Sequence, residues 1–230
     1  MSGQFKASSG RMDLGQAVRE AFSLTALFNE PFGDDNAIVF RRTLSGDFDA
    51  LAAQLGDLWE MEKWGKYKAA GRRELALLRD FLSPEGAKAM DCVLEDMKAI
   101  EECQAGLYRC SFRAIPTQGY EDDSVVRLFH RDGRNQLLCC YDDLTTEYVD
   151  RDDVIGPIKS DSVEVAVRSD ARVYRMEKGA LWRQRGRFPD YIADFPHGRP
   201  VRETFIHRAP SDDSGDKPRL LLIASDCSPA

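Results

Sequence analysis

Histidine is scarce in this chain: His130, His197 and His207 are the only three in 230 residues. Any histidine-based metal or acid–base site has to be built from them. There is no C-x-x-C pair and no zinc-ribbon spacing among the six cysteines (Cys92, Cys103, Cys110, Cys139, Cys140, Cys227). Cys139 and Cys140 are adjacent, so on a strand they face opposite ways and cannot share a ligand. The cysteines read as reduced packing residues of a cytoplasmic protein. No apolar run approaches the roughly 18 residues of a membrane-spanning helix. The first segment, MSGQFKASSGRMD, lacks the apolar stretch of a signal peptide and reads as a flexible tail over residues 1–10. Positive charge is also in deficit. A net charge of −7 and a pI near 5.1 argue against a surface built to hold a nucleic-acid backbone. No internal repeat or low-complexity segment interrupts the chain. What remains is an ordinary globular composition, 43 % hydrophobic, sufficient for a sizeable core.

Residues 11–104 read as mainly helical. Asp13 is a candidate cap for LGQAVREAFSLTALF, whose Leu14, Val18, Ala21, Phe22 and Leu24 to Phe28 fall on one helical stripe. GDFDALAAQLGDLWEMEKW, RRELALLRDFL and SPEGAKAMDCVLEDMKAIEEC repeat that period. The last opens with Ser83 as N-cap and Pro84 at the first helical position. NAIVFRR, bounded by acidic turn residues, is the exception and reads as a strand. From residue 105 to 230 the texture is different. LYRCSFRAI, SVVRLFH, QLLCCYDD, TTEYV, VEVAVRS, ARVYRM, GALWRQR, ETFIHRA and PRLLLIAS are short runs rich in β-branched and aromatic residues, separated by turn clusters. Many short strands at regular spacing predict a sandwich, jelly roll or barrel rather than βαβ units. The fold class expected is α+β, a helical N-terminal half packed on a C-terminal antiparallel β domain.

His130 and Asp132 stand two residues apart at the end of an apolar run, so on an extended chain both side chains leave one face. His207 ends another apparent strand. Two imidazoles and one carboxylate suit Fe(II), because they leave adjacent coordination positions open. HRDG is also a good exposed turn, in which Asp132 and Gly133 would do only turn work. Arg219 opens the last apolar run twelve residues after His207 and is suited to a bidentate pair with a carboxylate. His197, among Pro, Gly and Arg, reads as a loop residue. Trp59 and Trp64 read as helix-packing residues, and Trp182 as packing or as lining of a barrel mouth. The acidic clusters at 121–123, 142–143 and 150–153 read as solvated turns, or as a rim that attracts a cationic substrate.

FHRD, TTEYV, KGALW, IHRAP and RLLL, in this order, resemble the iron(II)- and 2-oxoglutarate-dependent dioxygenases, whose core is a double-stranded β-helix, a cupin-like jelly roll. FHRDGRNQLLCCYDDLTTEYV and IHRAP…RLLLIASD are more closely similar to an uncharacterised bacterial domain family. The resemblance covers about residues 105 to 226. It implies His130, Asp132 and His207 as Fe(II) ligands, and Arg219 as the partner of the distal carboxylate of the co-substrate 2-oxoglutarate. It implies Tyr141 or Thr146 as a further hydrogen-bonding residue for that co-substrate. Arg208, next to the distal histidine, competes with Arg219 for the carboxylate. The step before threonine-glutamate, YDDL, departs from the family's usual glycine-rich pattern. The activity implied is oxidation of a small molecule or a peptide side chain, with no nucleic acid or membrane as partner. Two other readings keep the β domain: a cupin-like metal-binding protein without 2-oxoglutarate chemistry, for which Arg219 is dispensable, and a non-catalytic scaffold without metal. The helical half is expected to cover a sheet face, form a lid or make a homodimer contact, and spacing does not choose between these.

Overall fold

The structure, a computed structural model, describes residues 14–15, 17–61, 68–103, 108–115, 127–158, 162–188, 198–210 and 218–226. Asp13, Trp64, the Trp59 side chain, the acidic cluster at 121–123, His197 and Cys227 lie outside the described residues.

A seven-stranded sheet forms the centre. Its strands are β1 (Val18–Glu20), β2 (Ala37–Phe40), β3 (Lys68–Ala70), β4 (Tyr108–Ile115), β5 (Gln136–Cys140), β10 (Leu181–Gln184) and β12 (Arg219–Asp226), in the order β1-β2-β10-β5-β12-β4-β3. Apart from the parallel β1–β2 pair, all its ladders are antiparallel. Strand alternation divides its two faces. Leu220, Leu222 and Ala224 of β12, Leu137 and Cys139 of β5, and Phe112 and Ala114 of β4 belong to the larger apolar core. The intervening residues face the other way.

Helices cover the first face. In α2 (Phe48–Met61), Phe48, Leu51, Ala52 and Leu55 recur at helical spacing and are buried. In α4 (Pro84–Cys103), Gly86, Ala89, Met90, Val93, Asp96, Met97 and Ile100 do the same. Ser83 does cap α4, its Oγ accepting the Gly86 N–H at 3.3 Å. The short α3 (Arg72–Leu78) buries Leu75. One residue of the α4 stripe is charged. Asp96 meets Arg42 in a two-pronged pair whose side chains are each 1 % exposed, and it also accepts the Tyr141 hydroxyl at 2.6 Å.

The second face looks onto a smaller sheet. Its strands β11 (His207–Arg208), β6 (Glu147–Val149) and β9 (Val173–Arg175) pair antiparallel, and β7 (Val154–Pro157) pairs with β8 (Val165–Val167). His130 bridges the two groups, pairing with His207 on one side and Glu164 on the other. Between the sheets lies an apolar layer that includes Val39, Leu138, Trp182 and Leu221 from the large sheet, Tyr148 from the small one, and Phe205 from the segment leading into β11. The expected antiparallel β region with two facing sheets is therefore present.

Three strands, β1, β2 and β3, interleave with the helices of the N-terminal region, and of these only β2 was expected. The predicted helix on LGQAVREAFSLTALF is split: Val18–Glu20 is strand β1, and only Leu24–Asn29 is helical (α1), capped by Ser23, whose Oγ accepts the Ala26 N–H at 3.0 Å. Phe22, assigned to the apolar stripe, is 91 % exposed. The edge of β2 supplies the reason. It offers Val18–Glu20 a ladder, and the Ala21 N–H continues it to the Val39 carbonyl at 2.7 Å, so tertiary pairing overrides a local pattern. NAIVFRR is the expected strand, as β2. The five described cysteines are all free thiols. No helix among the described residues is long and apolar enough to cross a membrane.

Asp96→Ala leaves the Arg42 guanidinium buried without its carboxylate, which costs about 3–5 kcal/mol. Tyr141→Phe removes one hydrogen bond to a charged acceptor, about 1.5–3 kcal/mol. Both losses are expected as lower guanidinium midpoints with an unchanged slope. A midpoint for Asp96→Ala within error of wild type would refute the role given to the pair.

Candidate metal centre

His130 and His207 are neighbours because their backbones are. The His130 N–H donates to the His207 carbonyl at 2.9 Å and the His207 N–H returns to the His130 carbonyl at 3.0 Å. In such a reciprocal antiparallel pair both side chains leave the same face, and the two ring centroids stand 4.5 Å apart. The segment around His130 is pinned from its other edge as well, by Arg131 N–H to Val163 O at 3.0 Å and Val165 N–H to Phe129 O at 2.8 Å.

Asp132 follows on the same face. Its backbone carbonyl accepts the Arg187 N–H at 2.8 Å, and Gly133 O accepts the Phe188 N–H at 2.8 Å. Gly186 makes this close approach possible: a Cβ there would lie 2.2 Å from the carbonyl carbon and oxygen of Arg134. The Asp132 carboxylate lies 3.4 Å from His207 Nε2 and accepts a hydrogen bond from Gln184 Nε2. Gln184 is itself oriented by the buried Trp182, whose indole N–H donates to Gln184 Oε1 at 2.9 Å. Each of His130, Asp132 and His207 offers one ligand atom, and all three atoms lie within 4.8 Å of one another.

The remaining nitrogens are arranged to suit a cation. Carbonyl oxygens only accept, so the Nδ1 contacts of His130 to Leu128 O (2.8 Å) and of His207 to Phe205 O (3.4 Å) require the proton on Nδ1. A neutral ring then presents Nε2 as a lone pair. Burial pushes the His207 pKa down to about 4 against the pull of Asp132. His207 is thus neutral, and able to donate a lone pair, across the ordinary pH range.

These three residues open into a cavity of about 270 Å³ whose other walls include Arg113, Gln136, Leu138, Thr146, Arg219, Leu221, Ile223 and Ser225. Arg219 is buried and donates to Thr146 Oγ1 at 2.6 Å. Arg208 also borders the cavity. Its guanidinium, however, is engaged by buried Glu147 at 2.8 Å and stacks over the Phe129 ring, 4.4 Å from its centroid.

Tyr141 corrects the expectation that it borders the co-substrate. It is fully buried on the helix side of the large sheet, stacked on Phe48 at 5.1 Å and bonded to Asp96. Strand parity explains this: Leu137, Cys139 and Tyr141 share one face of the β5 run, and Gln136, Leu138 and Cys140 the other. The described acidic turns do not rim the cavity either. Asp142 is buried, accepts the N–H groups of Leu144 (2.9 Å) and Leu220, and burial raises its carboxyl to about 6. Asp143 pairs with Lys178, and Asp150 accepts from Tyr174 Oη at 3.0 Å. Arg113, Gln136, Gln184 and Ser225 escaped sequence reasoning. Their signal was the alternation of polar residues through GALWRQR, QLLCCYDD, LYRCSFRAI and PRLLLIAS, which becomes readable only once one residue of each strand is known to face inward.

No protein-family model and no curated protein matches the sequence. Among solved structures, the chain is similar to the dioxygenase for auxin oxidation 1 of Arabidopsis thaliana, in complex with 2-oxoglutarate. That match has 10 % identity and a TM-score of 0.43, covering 93 % of this chain and 92 % of that one. It is also similar to a full-length protein of Neurospora crassa in complex with alpha-KG, at 12 % identity and a TM-score of 0.40, covering 97 % and 88 % of the two chains. A third is JOX2 in complex with 2OG, Fe and JA, at 10 % identity and a TM-score of 0.41, covering 83 % and 68 %. Likeness this loose assigns no activity; the side chains of the cavity have to.

The depressed His207 pKa has a signed consequence. Between the ordinary value of 6.5 and about 4 the unfolded chain takes up a proton that folded His207 does not, so acidification through this window lowers stability. In metal-free protein the His207 ring resonance is expected to titrate near pH 4 by NMR. A midpoint near 6.5 would contradict the burial described for it.

Proposed function

We propose that the chain is an Fe(II)- and 2-oxoglutarate-dependent dioxygenase with a double-stranded β-helix core. In this reading His130, Asp132 and His207 hold the metal, and Arg219 with Thr146 holds the distal carboxylate of the oxoacid. The observation that carries the proposal is the convergence of one ligand atom from each of two imidazoles and one carboxylate on a cavity whose wall also bears a buried arginine. Two imidazoles and one carboxylate, gathered on one side, leave the cavity side open to other ligands. When bound there, iron with 2-oxoglutarate supplies oxidative decarboxylation coupled to oxidation of a C–H bond. The protein's own part is positioning. Trp182 and Gln184 fix the rotation of the Asp132 carboxylate beside His207. Thr146 holds the Arg219 guanidinium at the cavity wall, in place to meet a carboxylate. Arg208 serves a different end, tying β11 to β6 through Glu147. Leu138, Leu221 and Ile223 keep that wall of the cavity dry. The substrate is a small molecule or a peptide side chain able to enter the cavity, and free thiols and a reduced metal agree with a cytoplasmic setting.

Anaerobic titration with Fe(II) and then 2-oxoglutarate, followed by visible absorption, tests this. Wild type is expected to develop the weak charge-transfer band of an iron-chelated 2-oxoacid, and Asp132→Ala to lose both metal and band. Arg219→Gln is expected to keep the metal while weakening 2-oxoglutarate about 10- to 100-fold, the worth of a charge-assisted pair. Equal oxoacid affinity in Arg219→Gln, with the loss appearing in Arg208→Gln, would reverse the roles given to the two arginines. Metal without the band would leave a cupin-like metal site, and no metal at all a scaffold.

A further inference from the structure

Arg113 lies on β4, one rung from Arg219. Ile115 faces Arg219 across the β4–β12 ladder and Arg113 faces Leu221, so the two arginines are diagonal neighbours on one face. Both border the same cavity. Their surroundings differ. Both carry a buried Nε without a hydrogen-bond partner among the described residues, but Arg219 also donates through Nη2 to Thr146, whereas Arg113 makes no side-chain hydrogen bond or ion pair among the described residues. A buried guanidinium donor with nothing to donate to is costly and calls for a partner. Arg113 is also not needed for the charge balance of the metal site. A divalent ion, the oxoacid dianion, Asp132 and Arg219 cancel, and Arg208 is matched by Glu147. That leaves Arg113 as the uncompensated cation among the described residues facing this cavity.

We infer that Arg113 anchors an anionic group of the substrate, and that the compound oxidised is a small organic acid whose carboxylate pairs with Arg113. Its carbon chain lies against Leu138, Leu221 and Ile223, which form the apolar wall beside Arg113. Planar carboxylate matches the guanidinium fork and satisfies the buried Nε. This inverts the expectation of a cationic substrate, since none of the described acidic turns borders the cavity. It rests on the metal–oxoacid reading above.

The test uses the full chain loaded anaerobically with Zn(II) and 2-oxoglutarate, each loading step followed by calorimetry. Hexanoate and its neutral isostere hexanamide are then titrated in. Hexanoate is expected to bind at least about ten-fold more tightly than hexanamide, the effect of one charge-assisted pair. Arg113→Gln is expected to abolish that preference while leaving 2-oxoglutarate affinity within about two-fold, and Arg113→Lys to retain part of it. Equal binding of acid and amide to wild type, or no binding of hexanoate, overturns the inference. So does a loss of 2-oxoglutarate affinity in Arg113→Gln comparable to that in Arg219→Gln, which would assign Arg113 to the co-substrate. Failure of the loading steps is read separately and removes the metal–oxoacid reading itself, and this inference with it.

Discussion

Two backbone hydrogen bonds between residues 130 and 207 are the constraint on which the site depends. They join segments far apart in the chain and force both imidazoles onto the inner face of the small sheet. The same pairing makes a continuous surface from two otherwise separate ladders, because His130 also pairs with Glu164. Asp132 then needs only the two-residue repeat of an extended chain to arrive beside His207. A backbone pair is a firm foundation for a metal site. The rings are aimed by ladder geometry and by carbonyl contacts to Nδ1, not by long side chains that must be ordered at entropic cost.

The large sheet supplies the rest through its alternation. One face carries Leu137, Leu220, Leu222 and Phe112 under the helices, and the other carries Arg219, Arg113, Gln136 and Gln184 into or beside the cavity. A shift of one residue in β12 would bury Arg219 under α4 and turn Leu220 to the cavity, so the apolar core and the polar site enforce each other's register. The Arg42–Asp96–Tyr141 cluster lies on the helix side of this sheet and ties α4 to it by charge as well as by packing. Such a buried pair is weak evidence for stability over an apolar substitute, but it does specify how the helix seats.

The cavity is more cationic than the chain as a whole. A net charge of −7 is spread over the surface, while Arg113, Arg208 and Arg219 border a cavity to which Asp132 contributes the carboxylate. Local charge near a ligand decides binding more than the total does, because exposed charges beyond about 8–10 Å are screened at physiological salt. An acidic protein can therefore hold a site for anions.

The sequence by itself determined the pieces with a local cause. Ser83 and Pro84 start α4, NAIVFRR is a strand, many of the short runs after residue 105 are strands, and His130 and Asp132 share a face because the chain between them is extended. Only the tertiary structure decided the rest. Val18–Glu20 became a strand because β2 had an edge to offer, against its own helical pattern. Tyr141 went under the helices although Gln136 and Leu138 of the same run border the cavity, since parity is read relative to a strand's packed face and that face is chosen by α4 and Asp96. Arg219 and Arg208 look equivalent in a string of letters. They part because His207 pairs with Tyr148 and Arg208 with Glu147, so successive residues of β11 face opposite sides of the sheet. The meeting of Trp182, Gln184 and Asp132 is likewise a product of register between distant strands, which no local pattern encodes.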